Sequence, residues 1–221
     1  MPVNIESYRN DFNAALDEIH ALHMLRYVWK NMLAMFASQP ELPADSMVNY
    51  YLQTTYSSTL AIGIRRQAEA SDSRTTIGSV LRRVNLHAAD FTIESCGFNR
   101  VEDWATGHGW LNYADTLDQP LSADRVQAQI DELVKDQAVA KQWVNKRIAH
   151  RDRQAVEFAW NDLEQALAGL RRATIFLFGL FNQGGYLAQV TPYPSLSWVK
   201  AFSQAWYDPT RTTLVEPQTL G

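Results

Sequence analysis

The chain has 221 residues, 46% of them hydrophobic and 20% charged, with a formal net charge of −4 at pH 7. This composition is that of a folded protein with a sizeable core, and it excludes an intrinsically disordered chain or one that coats nucleic acid indiscriminately. The single cysteine, Cys96, can form no internal disulfide, and the first residues do not resemble a secretory signal. A cytoplasmic protein is therefore expected, with Cys96 in a structural role.

Two long helices are predicted in the first third of the chain. After Asn4, large side chains recur every three or four residues, which is the spacing of one helix face. These are Tyr8, Phe12, Leu16, Ile19, His23 and Tyr27. The helix is expected to end before Pro40, because proline lacks an amide donor and restricts the residue ahead of it. A second helix is predicted from about Asp45 through Ala68.

A shorter third helix and a long connection follow. Residues 71–76 form a polar break, after which five apolar residues have helical spacing. These are Ile77, Val80, Leu81, Val84 and Leu86. Residues 89–120 are rich in Gly, Asn and Asp, which predicts a long connection with one irregular helical turn.

Two further helices are predicted in the second half of the chain. With Ser122 as N-cap, one continuous helix is expected, and its buried face is marked by five apolar residues. These are Val126, Ile130, Leu133, Ala140 and Val144. A last long helix is predicted from a capping arrangement of Asn161 and Glu164 to about Gln183. Its apolar run at 173–181 is far shorter than the roughly twenty residues that span a bilayer. It is interpreted as a buried segment, and no membrane partner is expected.

The predicted fold is all-α, a bundle of four or five principal helices with a short C-terminal helix rich in tryptophan. For that short helix, Trp198, Phe202 and Trp206 stand at steps of four, a spacing that places three rings on one side. Residues 1–206 are expected to form a single domain, and residues 207–221 are expected to form a polar tail.

The stretch from Lys141 to Arg153, KQWVNKRIAHRDR, combines a reversal of charge, a histidine and a predicted helix end. We call it the motif segment. Its five Lys and Arg residues and one Asp give it a formal charge of +4, in a chain whose net charge is −4. Such a reversal is typical either of a phosphate-binding surface or of a solvated helix end whose cations complement the helix dipole.

Three parts of the sequence resemble the HEPN superfamily, and more particularly its abortive-infection branch. VNKRIAHRD at 144–152 resembles the signature region, and SWVKAFSQAW at 197–206 resembles the C-terminal tryptophan segment. IGIRRQAEASDSRTTIGSVL at 62–81 resembles the arginine-then-aspartate helix ends of these proteins. The resemblance implies an all-α bundle, frequent homodimerisation and action on RNA. It also suggests a defence or toxin setting, with an antitoxin protein as a partner.

Many members of the superfamily are metal-independent endoribonucleases whose signature places an arginine and then a polar residue ahead of a histidine. The resemblance therefore implies that His150 is the catalytic histidine and Asn145 the polar residue, with no metal or cofactor. The arginine's expected place falls on Val144, or on Asn145. Arg147 is close to the histidine, with only two residues between them, and Arg151 or a residue from a second subunit could also supply the cation. The remaining cations of the motif segment are expected to bind RNA. These are Lys141, Lys146, Arg151 and Arg153.

Cleavage of RNA through its own 2′-hydroxyl needs groups for proton transfer and a cation for the charge that builds on phosphorus. Histidine suits proton transfer because its ordinary pKa is about 6.5. A guanidinium suits the phosphate because it offers forked, permanently charged donors. In one continuous α-helix, Arg147 and His150 would lie about 60° apart around the axis and could contact the same phosphate.

The sequence leaves two other functions open. The first is a helical interaction module that keeps the fold without catalysis. The second is a helical bundle that binds a metal or small molecule, with His20 and His23 as ligands and His87 or His150 supplied by another helix. His20 and His23 are otherwise interpreted as hydrogen-bonded structural histidines.

Three arginine doublets in the predicted helices also bear on function. They are interpreted as ion-pair partners of acidic residues across the bundle, and they would form a basic groove only if several of them faced His150. The doublets are Arg65 and Arg66, Arg82 and Arg83, and Arg171 and Arg172.

Overall fold

A computed structural model describes residues 4–37, 47–71, 75–98, 109–149 and 160–182. The regular structure of these residues is entirely helical, which confirms the all-α class. Its α-helices are α1 (Ile5–Ala37), α2 (Met47–Ala68), α3 (Ile77–Leu86), α4 (Ala123–Asp136), α5 (Ala138–Trp143) and α6 (Trp160–Asn182). A π-helical segment, Val144–Ala149, follows α5 directly. The predicted helix at 197–206 and the tail at 207–221 lie outside the described residues, and the single domain stays a prediction.

Helices α1 and α6 pack against each other in antiparallel orientation. Near one end, Nε of Arg9 donates to the carbonyl oxygen of Phe181 at 3.1 Å. Near the other end, Nε of Arg26 donates to both carboxylate oxygens of Glu164, at 2.8 and 2.6 Å. The apolar run of α6 is buried as predicted: Ala173, Leu177, Phe178, Leu180 and Phe181 all belong to the core. Within the described ranges, no helix is long and apolar enough to cross a membrane.

Helix α1 presents the predicted face to the core, and α2 packs antiparallel to it. Phe12 and Ile19 are completely buried, whereas the side chains predicted around them are half-buried. Trp29 extends this face: its ring stacks on Tyr56 of α2 at 5.1 Å and meets Trp160 of α6 edge to face at 6.0 Å. Three helices therefore meet at one aromatic cluster near the C-terminal end of α1.

Helix α3 begins with a capping box. The Thr76 side chain accepts from the Ser79 amide at 3.1 Å, and the Ser79 hydroxyl accepts from the Thr76 amide at 2.9 Å. The helix includes all five apolar residues that predicted it. Four of them are buried, but Leu86 is 77% exposed, because at about 100° per residue it lies about 180° from Ile77.

The connection after α3 contributes more to the core than its composition indicates. Among the described residues it contains two 3-10 turns, Ala88–Asp90 and Trp110–Asn112, where one irregular turn was expected. Several of its large side chains are buried. These are Phe91, Ile93, Phe98, Trp110 and Tyr113.

The helix expected to run unbroken from Ser122 into the motif segment is interrupted at Gln137. Asp136, the last residue of α4, forms two hydrogen bonds with α6. The side-chain amide of Gln165 donates to its carboxylate at 3.1 Å, and Arg172 also donates to that carboxylate. Gly169 permits this approach, because a Cβ there would lie 2.7 Å from the Cβ of Asp136. The predicted apolar stripe is nevertheless kept, although Ser122 makes no capping hydrogen bond with its side chain. Val126, Leu133, Ala140 and Val144 are buried, and Ile130 is half-buried.

The capping arrangement predicted for α6 was wrong. The helix already includes Trp160, so Asn161 is a helical residue and not the N-cap. Glu164 instead reaches across to α1, where it binds Arg26, and the Nζ of Lys30 lies 3.4 Å away. The Glu164 carboxylate, which the local pattern assigned to a helix cap, forms an ion pair between helices instead.

Candidate nucleic-acid interface

The structure describes the motif segment only as far as Ala149. Lys141 lies on α5, and Asn145 and Lys146 lie on the π-helical segment. Arg147 also belongs to that segment, although its side chain is outside the described residues. The remaining predicted site residues lie outside them altogether. These are His150, Arg151 and Arg153.

Apolar side chains anchor the motif segment to the bundle. Helix α5 packs against α2 and α6, and the π-helical segment packs against α2. Ala140 and Val144 are buried in the core, and Trp143 packs against it. Val144 is only 2% exposed, so the position at which the resemblance places an arginine is a core position in this chain. The interpretation of Val144 as part of an apolar stripe is confirmed.

The polar side chains of the same segment face outward. Lys141 is exposed, and Asn145 and Lys146 are half-buried. The side chain of neither lysine forms an ion pair or a hydrogen bond with another described residue. A buried apolar side thus anchors the segment, and the side chains of Lys141 and Lys146 remain in contact with solvent.

The π-helical geometry changes the expected spacing of the motif. A π-helix has hydrogen bonds from i to i+5 instead of i to i+4, so the angle of about 60° derived for an α-helix does not apply to Arg147. Single π-helical turns occur frequently at functional sites, where they displace side chains from the ordinary helical spacing. This turn lies immediately before His150 in the sequence.

The arginine doublets have different surroundings from the motif lysines. One member of each doublet is paired with a carboxylate of another helix, as predicted. The pairs are Arg66 with Glu18, Arg83 with Asp11, and Arg172 with Asp136. Arg82 donates to the carbonyl oxygen of Ala70 at 3.4 Å. These contacts hold helices together and reduce the free positive charge of the framework.

Glu164 is the acidic centre of the pairing between α1 and α6. Burial raises the pKa of this carboxyl, but hydrogen bonds and charge from Arg26 and Lys30 outweigh burial. The net result is a pKa below the ordinary value, so Glu164 is ionised at neutral pH.

The histidine pair of α1 does not have the environment expected of a metal site. The Nε2 atoms of His20 and His23 are buried without a hydrogen-bond partner, so the expected hydrogen bond is missing at that atom. Burial, followed by the charges of Arg171 and Arg26, lowers the pKa of His23 to about 4. His87 lies beside Asp90, with 3.5 Å between their nearest side-chain atoms. Across the described ranges, no group of three or more His, Cys, Asp or Glu residues is arranged to hold a metal.

The thiol of Cys96 is buried, and burial raises its pKa to about 12. At neutral pH it is therefore a thiol and not a nucleophilic thiolate, which agrees with the structural role predicted for it.

The exposed apolar surface at the start of α2 was not predicted from the sequence. The side chains at the start of α2 are large, uncharged and exposed: Met47, Val48, Tyr50 and Tyr51. The signal was present in the sequence, because residues 47–62 contain no charged residue in a chain that is 20% charged.

Comparison with known proteins agrees with the resemblance noted at the motif segment. The model of the HEPN_AbiU2 family, described as AbiU2, matches residues 5–204. This match includes every described helix and the whole motif segment. No curated protein and no solved structure matches the chain. The family match covers most of the 221 residues, and the chain therefore belongs to the HEPN_AbiU2 family.

Proposed function

We propose that this protein binds RNA through the motif segment and cleaves it without a metal ion, in a defence or toxin setting. The observation that carries the proposal is the contrast between Lys141 and Lys146, which have no described ionic partner, and the paired arginines of the helical framework. Phosphate groups bind where positive charge is concentrated and not already neutralised. Membership of the HEPN_AbiU2 family adds weight to RNA as the ligand.

In the proposed reaction, His150 accepts the proton of an RNA 2′-hydroxyl. The 2′ oxygen then forms a bond to phosphorus while the bond to the leaving 5′ oxygen breaks, and that oxygen takes up a proton from solvent. The products are a cyclic phosphate end and a 5′-hydroxyl end. Arg147 is assigned to the charge on the phosphate because Val144 is buried in the core and cannot serve there.

The alternative function is an interaction module that binds RNA or protein without catalysis. The burial of Val144 favours this alternative, because the arginine of the family signature is missing from a position that now belongs to the core. An antitoxin protein is the partner expected in either case.

The proposal is tested by incubating wild-type protein and His150→Ala with mixed RNA in the presence of a chelator, followed by analysis of the RNA ends. We expect cyclic phosphate ends from the wild type, and a rate lower by about 10²- to 10⁴-fold in His150→Ala. His87→Ala is the matched control, since His87 lies at the end of α3 beside Asp90 and outside the motif segment. This control should cleave RNA at the wild-type rate.

Two outcomes would contradict the proposal in different ways. Equal cleavage by wild type and His150→Ala would exclude His150 as the proton-transfer group. RNA binding that weakens with salt, without any cleavage, would leave the motif segment as a binding surface and favour the interaction module.

A further inference from the structure

The last residue of α4 and three residues of α6 form one polar contact directly before the motif segment. The carboxylate of Asp136 accepts from Arg172 and from the side-chain amide of Gln165. Gly169 lies against the same carboxylate. The side chain of Asp136 is only 9% exposed, so the contact is largely shielded from solvent. We call these four residues the α4–α6 clamp.

The clamp requires glycine at position 169. A Cβ there would lie 2.6 Å from Oδ2 and 2.7 Å from the Cβ of Asp136, which is closer than non-bonded atoms normally approach. Glycine is unfavourable inside a helix, where alanine is the most favourable residue. The residue that leaves room for Asp136 is therefore one that α6 itself does not favour.

The chain that follows the clamp has little to fix its own direction. Helix α5 has six residues, and the π-helical segment after it also has six. Helices this short are marginal in isolation, so their orientation depends on contacts with the bundle. At the break, Gln137 is 4% exposed, and none of the described residues donates to its Oε1. A buried acceptor without a donor opposes burial, so Gln137 does not itself hold the break in place.

We propose that the α4–α6 clamp positions the motif segment for RNA, an inference that rests on the proposed function. Lys146 lies ten residues after Asp136. At 1.5 Å per residue this separation is about 15 Å, so a tilt of about 10° at the break moves Lys146 by about 2.6 Å. A displacement of that size breaks a hydrogen bond to a phosphate oxygen. The clamp residues thus act as positioning residues, without contact to RNA.

The apolar contacts of the motif segment have a different role from the clamp. Ala140 and Val144 hold one side of the segment against the core. Such contacts are non-directional and keep the segment on the bundle without setting its angle. The hydrogen bonds of the Asp136 carboxylate have defined directions, so they set the angle at which the chain leaves α4.

The clamp is tested first without RNA, by amide hydrogen exchange on the full chain. Gly169→Ala introduces the Cβ that Asp136 excludes, and it should raise the exchange rate of residues 138–149 by about tenfold or more, because they then open more readily. Gly179→Ala is the matched control. It makes the same substitution in the same helix, against the hydroxyl of Tyr113, and should leave exchange of residues 138–149 at the wild-type rate.

The affinity for a single-stranded RNA is the second measurement, and it separates positioning from charge by its sign. Asp136→Asn removes a negative charge, which by itself would strengthen RNA binding. We expect it to weaken binding about tenfold instead, the loss of roughly one charged hydrogen bond. Asp131→Asn is the matched control, since it removes the same charge from an exposed position on α4 outside the clamp, and it should bind RNA at least as tightly as the wild type.

The outcomes separate this inference from the proposed function. Unchanged exchange of residues 138–149 in Gly169→Ala, or an equal rise in Gly179→Ala, would overturn the inference whether or not the chain binds RNA. RNA binding by Asp136→Asn as tight as that by Asp131→Asn would also overturn it. A wild type that binds no RNA would contradict the proposed function, and hydrogen exchange alone would then decide the role of the clamp. Circular dichroism checks folding, and Asp136→Asn replaces Gly169→Ala in the exchange measurement if the latter does not fold.

Discussion

The cations of the helical framework and those of the motif segment have different surroundings. Arg26 on α1 binds Glu164 through both carboxylate oxygens, and Arg66 on α2 pairs with Glu18. Lys141 and Lys146 lie beside no carboxylate among the described residues. Arg26 and Arg66 therefore join helices, whereas Lys141 and Lys146 form no ion pair with a described carboxylate.

This difference shows that the positive charge of a doublet in the sequence says little about its function. Each arginine doublet carries a formal charge of +2, yet one member of each is paired with an acid on another helix. These pairs are half-exposed, and each is expected to contribute about 1 kcal/mol or less to the free energy of unfolding. Their main consequence is that Arg66, Arg83 and Arg172 are each engaged with a carboxylate of another helix.

The largest expected effect comes from Val144, which ties the motif segment to the framework. Val144→Arg should lower the free energy of unfolding by about 3–5 kcal/mol, because it places an unpaired guanidinium where only 2% of the side chain is exposed. It should not increase RNA cleavage. Urea unfolding at pH 7 and the cleavage assay measure the two effects.

Val144→Ala is the control for lost packing alone, with an expected decrease of about 1–3 kcal/mol. A Val144→Arg variant as stable as the wild type and more active in cleavage would contradict the comparison. It would show that this position can turn outward and restore the arginine of the family signature.

The fold could be predicted where apolar spacing is regular and local. Helix α3 begins at Ile77, directly after the predicted polar break at 71–76, because the break and the apolar residues of the helix lie close together in the sequence. The break at Gln137 could not be predicted in this way. It lies next to the contact of Asp136 with α6, which joins residues far apart in the sequence, and neither proline nor glycine stands at the break.

The candidate site was predictable to a similar degree. The apolar stripe through Val144 indicated a core position, and the structure confirms it. The π-helical geometry was missed because the same residues are compatible with an α-helix. Glu164 was assigned to a cap because local spacing cannot reveal a partner such as Arg26, which is 138 residues away.

A smaller effect is expected from His23, whose protonation is opposed by framework cations. Its pKa in the folded chain is about 4, below the ordinary value of 6.5, because of burial and the charges of Arg171 and Arg26. Between these values the unfolded chain binds a proton that the folded chain does not. The free energy of unfolding should therefore fall as the pH is lowered from about 6.5 to about 4, by on the order of 2 kcal/mol.

Urea unfolding of wild type and His23→Gln across this pH range measures the effect, and the variant should show a flatter profile. His87→Gln is the control, because His87 is more exposed and lies beside an acid. Identical profiles for wild type and His23→Gln would show that the framework charges do not act on this histidine. Titration of Glu164 does not affect the comparison, since it is common to both proteins.

The smallest effect on stability, and the most direct test of the contrast, comes from the motif lysines. Lys141→Gln and Lys146→Gln should each change the free energy of unfolding by less than about 0.5 kcal/mol, because neither side chain has a described ionic partner to lose. RNA affinity should fall in both. The slope of log affinity against log salt should become shallower by about 0.7 for each phosphate contact removed from a single strand.

Two controls separate the motif segment from cations in general. Lys135→Gln removes an exposed lysine from the last turn of α4 and should leave the salt slope unchanged. Arg66→Gln removes a paired framework cation, so it should lower stability by up to about 1 kcal/mol without altering the slope. If the slope of log affinity against log salt decreased equally in all four variants, RNA binding would depend only on the overall charge of the protein. The distinction between paired and unpaired cations would then have no part in binding.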